Sequence, residues 1–215
     1  MAAGKWIGGI LGFMSGGALG ALAGVALGAL FDYGINAVNK DGEPKNGYGS
    51  ASSGRQGFGS ATREQQYYEG QRNSFLFSLL VLASYIIKAD GKVMHSEMEF
   101  VRKFLRANFG EVAVEQGNSI LLRLFDEQKR LNATNPYAFR DVIRQSCEQI
   151  AMNLDYGQRL QLLNFLVMIA RADGSMPNEE ISALRECVRY MRMDMEDLDS
   201  MLNLQKDLPI WDILE

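Results

Sequence analysis

The chain has 215 residues, of which 47% are hydrophobic and 22% are charged, an ordinary composition for a globular protein. Its formal net charge of −4 and its pI of about 5.2 argue against a nucleic-acid-binding protein, which needs a basic surface. Two cysteines in apolar helical patterns, Cys147 and Cys187, indicate buried thiols, and a single histidine, His95, leaves no zinc motif. Because the sequence has no phosphate loop and no activated nucleophile, we do not expect an enzyme.

The first 35 residues differ from the rest and predict a transmembrane segment. Residues 6–31 carry no charged side chain, and 26 residues in a helix extend roughly 39 Å, which is enough to cross a bilayer. Glycine recurs at every fourth position, which predicts close helix packing and a homodimer in the membrane. The glycines of this ladder are Gly8, Gly12, Gly16, Gly20, Gly24 and Gly28.

Two other interpretations of residues 1–35 need comparison. A signal peptide has an apolar region of about 7–15 residues, shorter than this one, although cleavage after a small residue such as Gly28 stays an alternative. An interfacial helix needs a charged face, which this segment lacks. Basic residues beyond the span favour a single-pass protein of the inner (cytoplasmic) membrane with its C-terminal side in the cytoplasm. These residues are Lys40, Lys45, Arg55 and Arg63.

The rest of the chain divides into a linker and a helical domain. Residues 36–70 are rich in glycine and serine and lack apolar periodicity, which predicts a flexible tether. Residues 71–204 carry apolar side chains at spacings of three and four, which predicts an all-α fold, a compact bundle of about seven helices. Within it, Asn135-Pro136 predicts one helix start and Asp194 the start of a short last helix.

The domain contains one segment twice. Residues 86–102 align with residues 169–185 without a gap, at a fixed offset of 83 residues. Such a recurrence indicates one supersecondary unit used twice, and its pattern predicts a helix, an Asp-Gly turn and a second helix. Leu79, Leu80, Ile86, Ala89, Asp90, Gly91, Glu97 and Arg102 recur as Leu162, Leu163, Ile169, Ala172, Asp173, Gly174, Glu180 and Arg185.

The residue types of the turn suit a helix–helix corner. Gly91 and Gly174 follow long apolar runs, where a helix commonly ends on a residue at positive φ. The aspartate before each glycine has a short acceptor side chain that can bond backbone N–H groups just downstream. Glu97 and Glu180 fall near the start of the next helix, where a carboxylate favours the exposed N–H groups. On this interpretation the acids cap helices.

The same acids also allow a divalent-cation site. Glu97 follows Gly91 at the spacing of the second half of an EF-hand loop, but Ile86 and Lys88 occupy the first and third ligand positions, which excludes an EF-hand. A weaker site for calcium or magnesium, shared between the repeats or separate in each, remains open beside the capping interpretation. Its candidate ligands are Asp90, Glu97, Glu99, Asp173, Glu179 and Glu180.

The repeated A-D-G-x-(V/M)-x-x-x-E-x-x-x-(V/L)-R segments resemble those of the TerB-like family, an all-helical domain first named for tellurite resistance. The order of glycine-rich span, linker and helical domain is similar to that of DjlA-type membrane-anchored co-chaperones. This resemblance implies a membrane-anchored stress or co-chaperone interaction module that serves a DnaK-type chaperone. The alternative that it implies is metal or stress sensing through Asp90, Glu97, Asp173 and Glu180.

The sequence departs from that pattern at two places. DjlA-type proteins continue into a J domain with a His-Pro-Asp tripeptide, whereas here His95 is followed by Ser96. Residues 205–215 are similar to the opening of a J domain, so we expect a fragment or a truncation that stops there. Met94 and Pro177 also stand where the family commonly has a serine cap.

Overall fold

The computed structural model describes residues 17–26 and 60–204, with side chains for 17–26 and 74–204. Every regular element in these ranges is a helix, which confirms the prediction of an all-α bundle of about seven helices. After the short helical segment 17–26, the elements are α1 (Ser60–Ile87), α2 (His95–Phe109), α3 (Glu111–Thr134), α4 (Ala138–Asn153), α5 (Tyr156–Ala170), α6 (Asn178–Tyr190) and α7 (Met195–Leu204).

Helices α1 and α5 form the centre of the bundle. Helix α1 packs against α3, α4, α5 and α6, and its residues from Leu76 to Ile87 are buried on nearly every side. In α5, the apolar residues from Leu162 to Ala170 are buried in the same way, whereas Asn164 between them is exposed. A helix that is apolar on all faces needs neighbours on all faces, so these two segments are enclosed by the other, amphipathic helices.

The two repeats fold as the sequence predicts. Helix α2 begins at His95 and α6 begins at Asn178, which are equivalent positions of the repeat. Gly91 and Gly174 both have φ of 84°, the left-handed conformation expected at the turn. The first helix of each repeat also packs against the second helix of the other, since α1 contacts α6 and α2 contacts α5. Because of these contacts between the repeats, the two turns lie in the same part of the bundle.

Two helix starts differ from the sequence predictions. Helix α4 begins at Ala138 and not at Pro136, because the Asn135 side chain accepts the Tyr137 N–H (3.0 Å) and forms a turn before the helix. Helix α1 begins at Ser60, inside the predicted linker 36–70. Its first residues are mostly polar and lack apolar periodicity, so the pattern of the sequence could not mark them as helical.

The described part of the glycine-rich segment, residues 17–26, is a helix that packs against the domain. Leu19, Leu22, Ala23 and Ala26 belong to the main buried apolar cluster, and the Leu19 N–H donates to Gln149 Oε1 at 3.2 Å. No helix within residues 17–26 and 60–204 is both long enough and apolar enough to cross a bilayer. The remainder of the predicted span 6–31 lies outside the described residues, and with it lie Gly8, Gly12, Gly16 and Gly28.

Candidate functional site

The two Asp-Gly turns have the same hydrogen bonds. Asp90 Oδ1 accepts the N–H of Lys92 at 2.8 Å, and Asp173 Oδ1 accepts the N–H of Ser175 at 2.9 Å. The Ser175 hydroxyl also lies 3.0 Å from both carboxylate oxygens of Asp173. Each aspartate therefore braces its own turn, as the residue types of the turn predict.

The two repeated glutamates are buried at the starts of α2 and α6, with 3% of Glu97 and 4% of Glu180 exposed. Glu97 has a backbone donor, because the N–H of Met94 donates to its Oε2 at 2.7 Å. A carboxylate that receives the N–H of the residue three positions earlier forms half of a capping box. The capping interpretation thus accounts for Glu97.

Glu180 lacks this donor. The position equivalent to Met94 is Pro177, whose ring nitrogen carries no hydrogen. Glu180 Oε2 is buried and accepts no hydrogen bond. A buried carboxylate oxygen without a donor is uncommon in folded proteins, since it loses its hydration and receives nothing in return. The capping interpretation therefore does not account for Glu180.

The acids of the two repeats act on one another. The pKa of Glu97 is raised to about 7, mainly by burial, with smaller contributions from repulsion by Asp90 and Asp173, whereas the Met94 hydrogen bond lowers it. Burial raises the pKa of Glu180 to about 8, with repulsion from Glu97, Asp90, Asp173 and Glu179. Because an aspartate from each turn acts on both glutamates, both turns lie within electrostatic reach of the same place. We call Asp90, Glu97, Asp173 and Glu180 the acidic corner.

The other two candidate ligands lie at or beyond the edge of this corner. Glu99 pairs with Arg102 at 3.3 Å, and its charge is not among those that act on Glu97 or Glu180. Glu179 is exposed and acts on its neighbour Glu180. The sequence-predicted set of six therefore contains four residues that converge, one flanking residue and one in a separate ion pair.

The donor chemistry of the acidic corner suits a hard cation, which takes carboxylate oxygens. The buried oxygen of Glu180 supplies an acceptor that no protein donor uses. Within residues 17–26 and 60–204, no three His, Cys, Asp or Glu side chains are gathered closely enough to form a ready coordination shell. A divalent-cation site at the acidic corner therefore stays a prediction.

A groove of about 460 Å³ lies beside the second turn, between that turn, the start of α6 and the last helix. One nitrogen of Arg171, Nη1, is buried and has no hydrogen-bond acceptor. The repeat in the sequence does not reveal this groove, because Asp199 and the other α7 residues belong to no repeated motif. The residues that line it are Arg171, Gly174, Ser175, Met176, Ile181, Asp199, Leu202 and Asn203.

The two thiols lie elsewhere, in the core. Cys147 and Cys187 are free and buried, which confirms the prediction of buried thiols. A hydrogen bond with Cys187 together with burial raises the pKa of the Cys147 thiol, so this sulfur stays protonated and unreactive in the folded chain. His95, the first residue of α2, is exposed.

Comparison with protein families gives two matches. Residues 77–203 match the family model described as tellurite resistance protein TerB, a range that contains all four residues of the acidic corner. Residues 1–51 match the family model described as the co-chaperone DjlA transmembrane domain. No curated protein and no solved structure matches the chain significantly. The chain therefore belongs to the TerB family and carries its TerB domain behind a DjlA-type transmembrane domain.

Proposed function

We propose that this protein is a membrane-anchored regulatory module of a DjlA-type co-chaperone, whose TerB domain binds a protein partner of a DnaK-type chaperone system. The observation that carries this proposal is the order of the two family matches, with the transmembrane domain before the TerB domain in one chain. The anchor holds the domain at the inner membrane, and the basic residues after the span favour a cytoplasmic domain. The stress-response role is part of the proposal and follows from the family resemblance alone.

The groove beside the second turn is the part of the described surface that best suits a protein partner. It combines an apolar floor, from Met176, Ile181 and Leu202, with one cationic and one anionic side chain, Arg171 and Asp199. Apolar contact provides the affinity of such a surface, and unpaired charges at its margin provide orientation. An acidic side chain of the chaperone would give the buried Arg171 nitrogen the acceptor that it lacks.

This proposal is tested by binding of a purified DnaK-type chaperone to the full chain in lipid nanodiscs, measured by biolayer interferometry. Arg171→Glu should weaken binding by about tenfold, because it reverses the charge that receives the partner. Arg123→Glu reverses an exposed charge outside the groove and serves as the matched control. Absence of binding by the unaltered chain, or equal loss with both variants, would contradict the proposal.

A second candidate function is binding of a divalent cation, calcium or magnesium, at the acidic corner. The observation in its favour is the buried Glu180 oxygen that has no donor, next to three further carboxylates. Glu180, Asp90, Asp173 and Glu97 would be the ligands of the ion. Bound there, a cation supplies positive charge that offsets the repulsion among the acids and stabilises the folded domain by mass action.

Calorimetric titration of the full chain in a neutral detergent with calcium, magnesium and manganese tests the second candidate. We expect heat of binding and a rise in Tm for the unaltered chain. The double variant Asp90→Asn plus Asp173→Asn should lose both, because it removes one charge from each turn while it keeps an acceptor oxygen for the turn N–H groups. If no ion gives heat or a thermal shift, the acids have no cation-binding role.

A further inference from the structure

The groove beside the second turn lies where the last helix ends. Leu202 and Asn203 of α7 line it, and α7 ends one residue later at Leu204, an apolar residue that is 68% exposed. The chain therefore leaves the helix at the edge of the groove. We propose that residues 205–215, which we call the tail, dock in this groove and compete there with a protein partner. The docking stands by itself, whereas the competition rests on the chaperone-binding function proposed above.

The groove has two features that need a complementary occupant. Its apolar floor consists of Met176, Ile181 and Leu202, and such a surface gains stability when it is covered. Arg171 lines the same groove, and its Nη1 is buried without a hydrogen-bond acceptor in the described part of the chain. A buried donor without an acceptor is uncommon, and a guanidinium binds a carboxylate through two N–H groups. The groove therefore suits a large apolar side chain that lies near a carboxylate.

The tail carries this pair of groups within reach of the groove. Asp207 and Trp211 are four positions apart in the sequence, and side chains at that spacing lie on the same side of an extended chain and of a helix. Trp211 follows Leu204 by seven residues, so it can reach as far as roughly 23 Å from the end of α7. A groove of about 460 Å³ has the size of a small-molecule pocket and has room for an indole ring. We therefore assign Trp211 to the apolar floor and Asp207 to the guanidinium of Arg171.

The covalent link favours the tail over a separate occupant. A segment on a short tether meets its site at an effective concentration on the order of millimolar, so a modest affinity suffices to fill the groove in most molecules. Charges of the second sign match as well, because Lys206 of the tail can offset Asp199, the anionic residue of the groove. The groove is therefore filled by its own chain until a stronger partner displaces the tail.

The fluorescence of Trp211 tests the docking without any partner. The chain has two tryptophans, so Trp6→Phe leaves Trp211 as the single indole emitter. For the full chain in a neutral detergent we expect blue-shifted emission and weak quenching by acrylamide, because the docked ring is shielded from water. Asp207→Lys and Arg171→Glu should each shift the emission to the red and increase the quenching. The double variant, which exchanges the two charges, should restore the shielded emission, whereas a merely structural loss would persist.

Glu215→Lys makes the same charge change at the end of the tail and is the matched control, with unchanged emission. Solvent-exposed emission from the unaltered tail, or equal effects of Asp207→Lys and Glu215→Lys, would overturn the docking while the chaperone-binding function stands. Shielding that disappears on dilution would place the tail in the groove of a second copy and would also overturn docking within one chain.

Binding of the DnaK-type chaperone to the full chain in nanodiscs tests the competition. Trp211→Ala removes the apolar anchor of the tail and leaves Arg171 available to the chaperone. The affinity should rise roughly tenfold if the tail fills the groove in about nine of ten molecules, and Glu215→Lys should leave it unchanged. Equal affinity of Trp211→Ala and the unaltered chain would overturn the competition. Absence of binding by either chain would contradict the proposed function and the competition together, whereas the fluorescence alone decides the docking.

Discussion

Ionisation of the two buried glutamates opposes folding. Their pKa values in the folded chain, about 7 for Glu97 and about 8 for Glu180, lie above the unperturbed value of 4.5. The folded state therefore holds protons that the unfolded state has already released. The stabilisation that these protons give is complete below pH 4.5 and is lost as the pH rises through 7 and 8.

Without divalent cations, the Tm of the full chain should fall as the pH is raised from about 5 to about 8.5. Glu180→Gln should flatten this decline, because the amide is neutral at every pH. Circular dichroism melts at a series of pH values provide the measurement. The hydrogen bond from Arg130 lowers the pKa of Glu127, so the stabilisation from this ion pair is lost only at more acid pH. It therefore does not change the Tm between about pH 5 and about 8.5. A flat or rising Tm would show that Glu97 and Glu180 do not stay protonated in the folded chain at neutral pH.

All four residues of the acidic corner were predictable from the sequence, but the different hydrogen bonding of Glu97 and Glu180 was not predicted. The repeat identified Asp90, Asp173, Glu97 and Glu180, because residue type and spacing are visible in the printed chain. The missing donor at Pro177 could also have been found by asking which residue supplies the N–H at each aligned position. The groove around Arg171 could not, because it depends on the way in which α7 packs beside the second turn.

At the scale of helices, one polar network ties three elements together near the core. The Tyr85 hydroxyl of α1 donates to Glu186 Oε2 of α6 at 2.8 Å. Arg140 of α4 donates through both Nε and Nη2 to the same carboxylate. A planar guanidinium that meets a carboxylate with two donors fixes orientation as well as distance. Glu186 therefore sets how α1, α4 and α6 meet.

Glu186→Ala should lower the free energy of unfolding by about 1–2 kcal/mol, because it leaves the Tyr85 hydroxyl without its acceptor and Arg140 without its partner. Urea denaturation followed by circular dichroism measures the change. Glu148→Ala, at an exposed position of α4, is the control and should lie within about 0.5 kcal/mol of the unaltered chain. Equal stability of the two variants would show that the network does not hold the helices together.

Helices were predictable where one face is buried, because apolar residues then recur at spacings of three and four in the sequence. The equivalent starts of α2 and α6 follow from the repeat, and the last helix begins at Met195, one residue after the predicted Asp194. The first part of α1 has no such period, and a side-chain bond of Asn135 moves the start of α4. Contacts made by single polar side chains leave little trace in a pattern of apolar residues.

At the scale of the whole molecule, the glycine-rich segment has two faces. Leu19 and Leu22 are buried toward the helical domain, whereas Gly24 is exposed and a Cβ placed there would meet no atom within 4 Å. Residues 17–26 cannot pack on the domain and lie in a bilayer at the same time. In the described arrangement, Gly24 stays open to another helix.

Gly20→Ile plus Gly24→Ile should therefore reduce self-association of the segment in a membrane, because the added side chains prevent close approach of two backbones. A transmembrane-association reporter that carries residues 1–35 gives the measurement. Leu22→Ile places the same side chain off the ladder and should leave association unchanged. Undiminished association of the double glycine variant would remove the predicted homodimer face.

If the two repeats together build one cation site, as proposed, the amides of both turn glycines, Gly91 and Gly174, report on it. We expect a titration of the 15N-labelled full chain in detergent with calcium or magnesium to shift the amide resonances of Gly91 and Gly174 along one saturation curve, with a single dissociation constant. The same amides should stay fixed in Glu180→Gln. Movement of one glycine only, two unrelated constants, or no movement would contradict a single acidic site shared by the repeats.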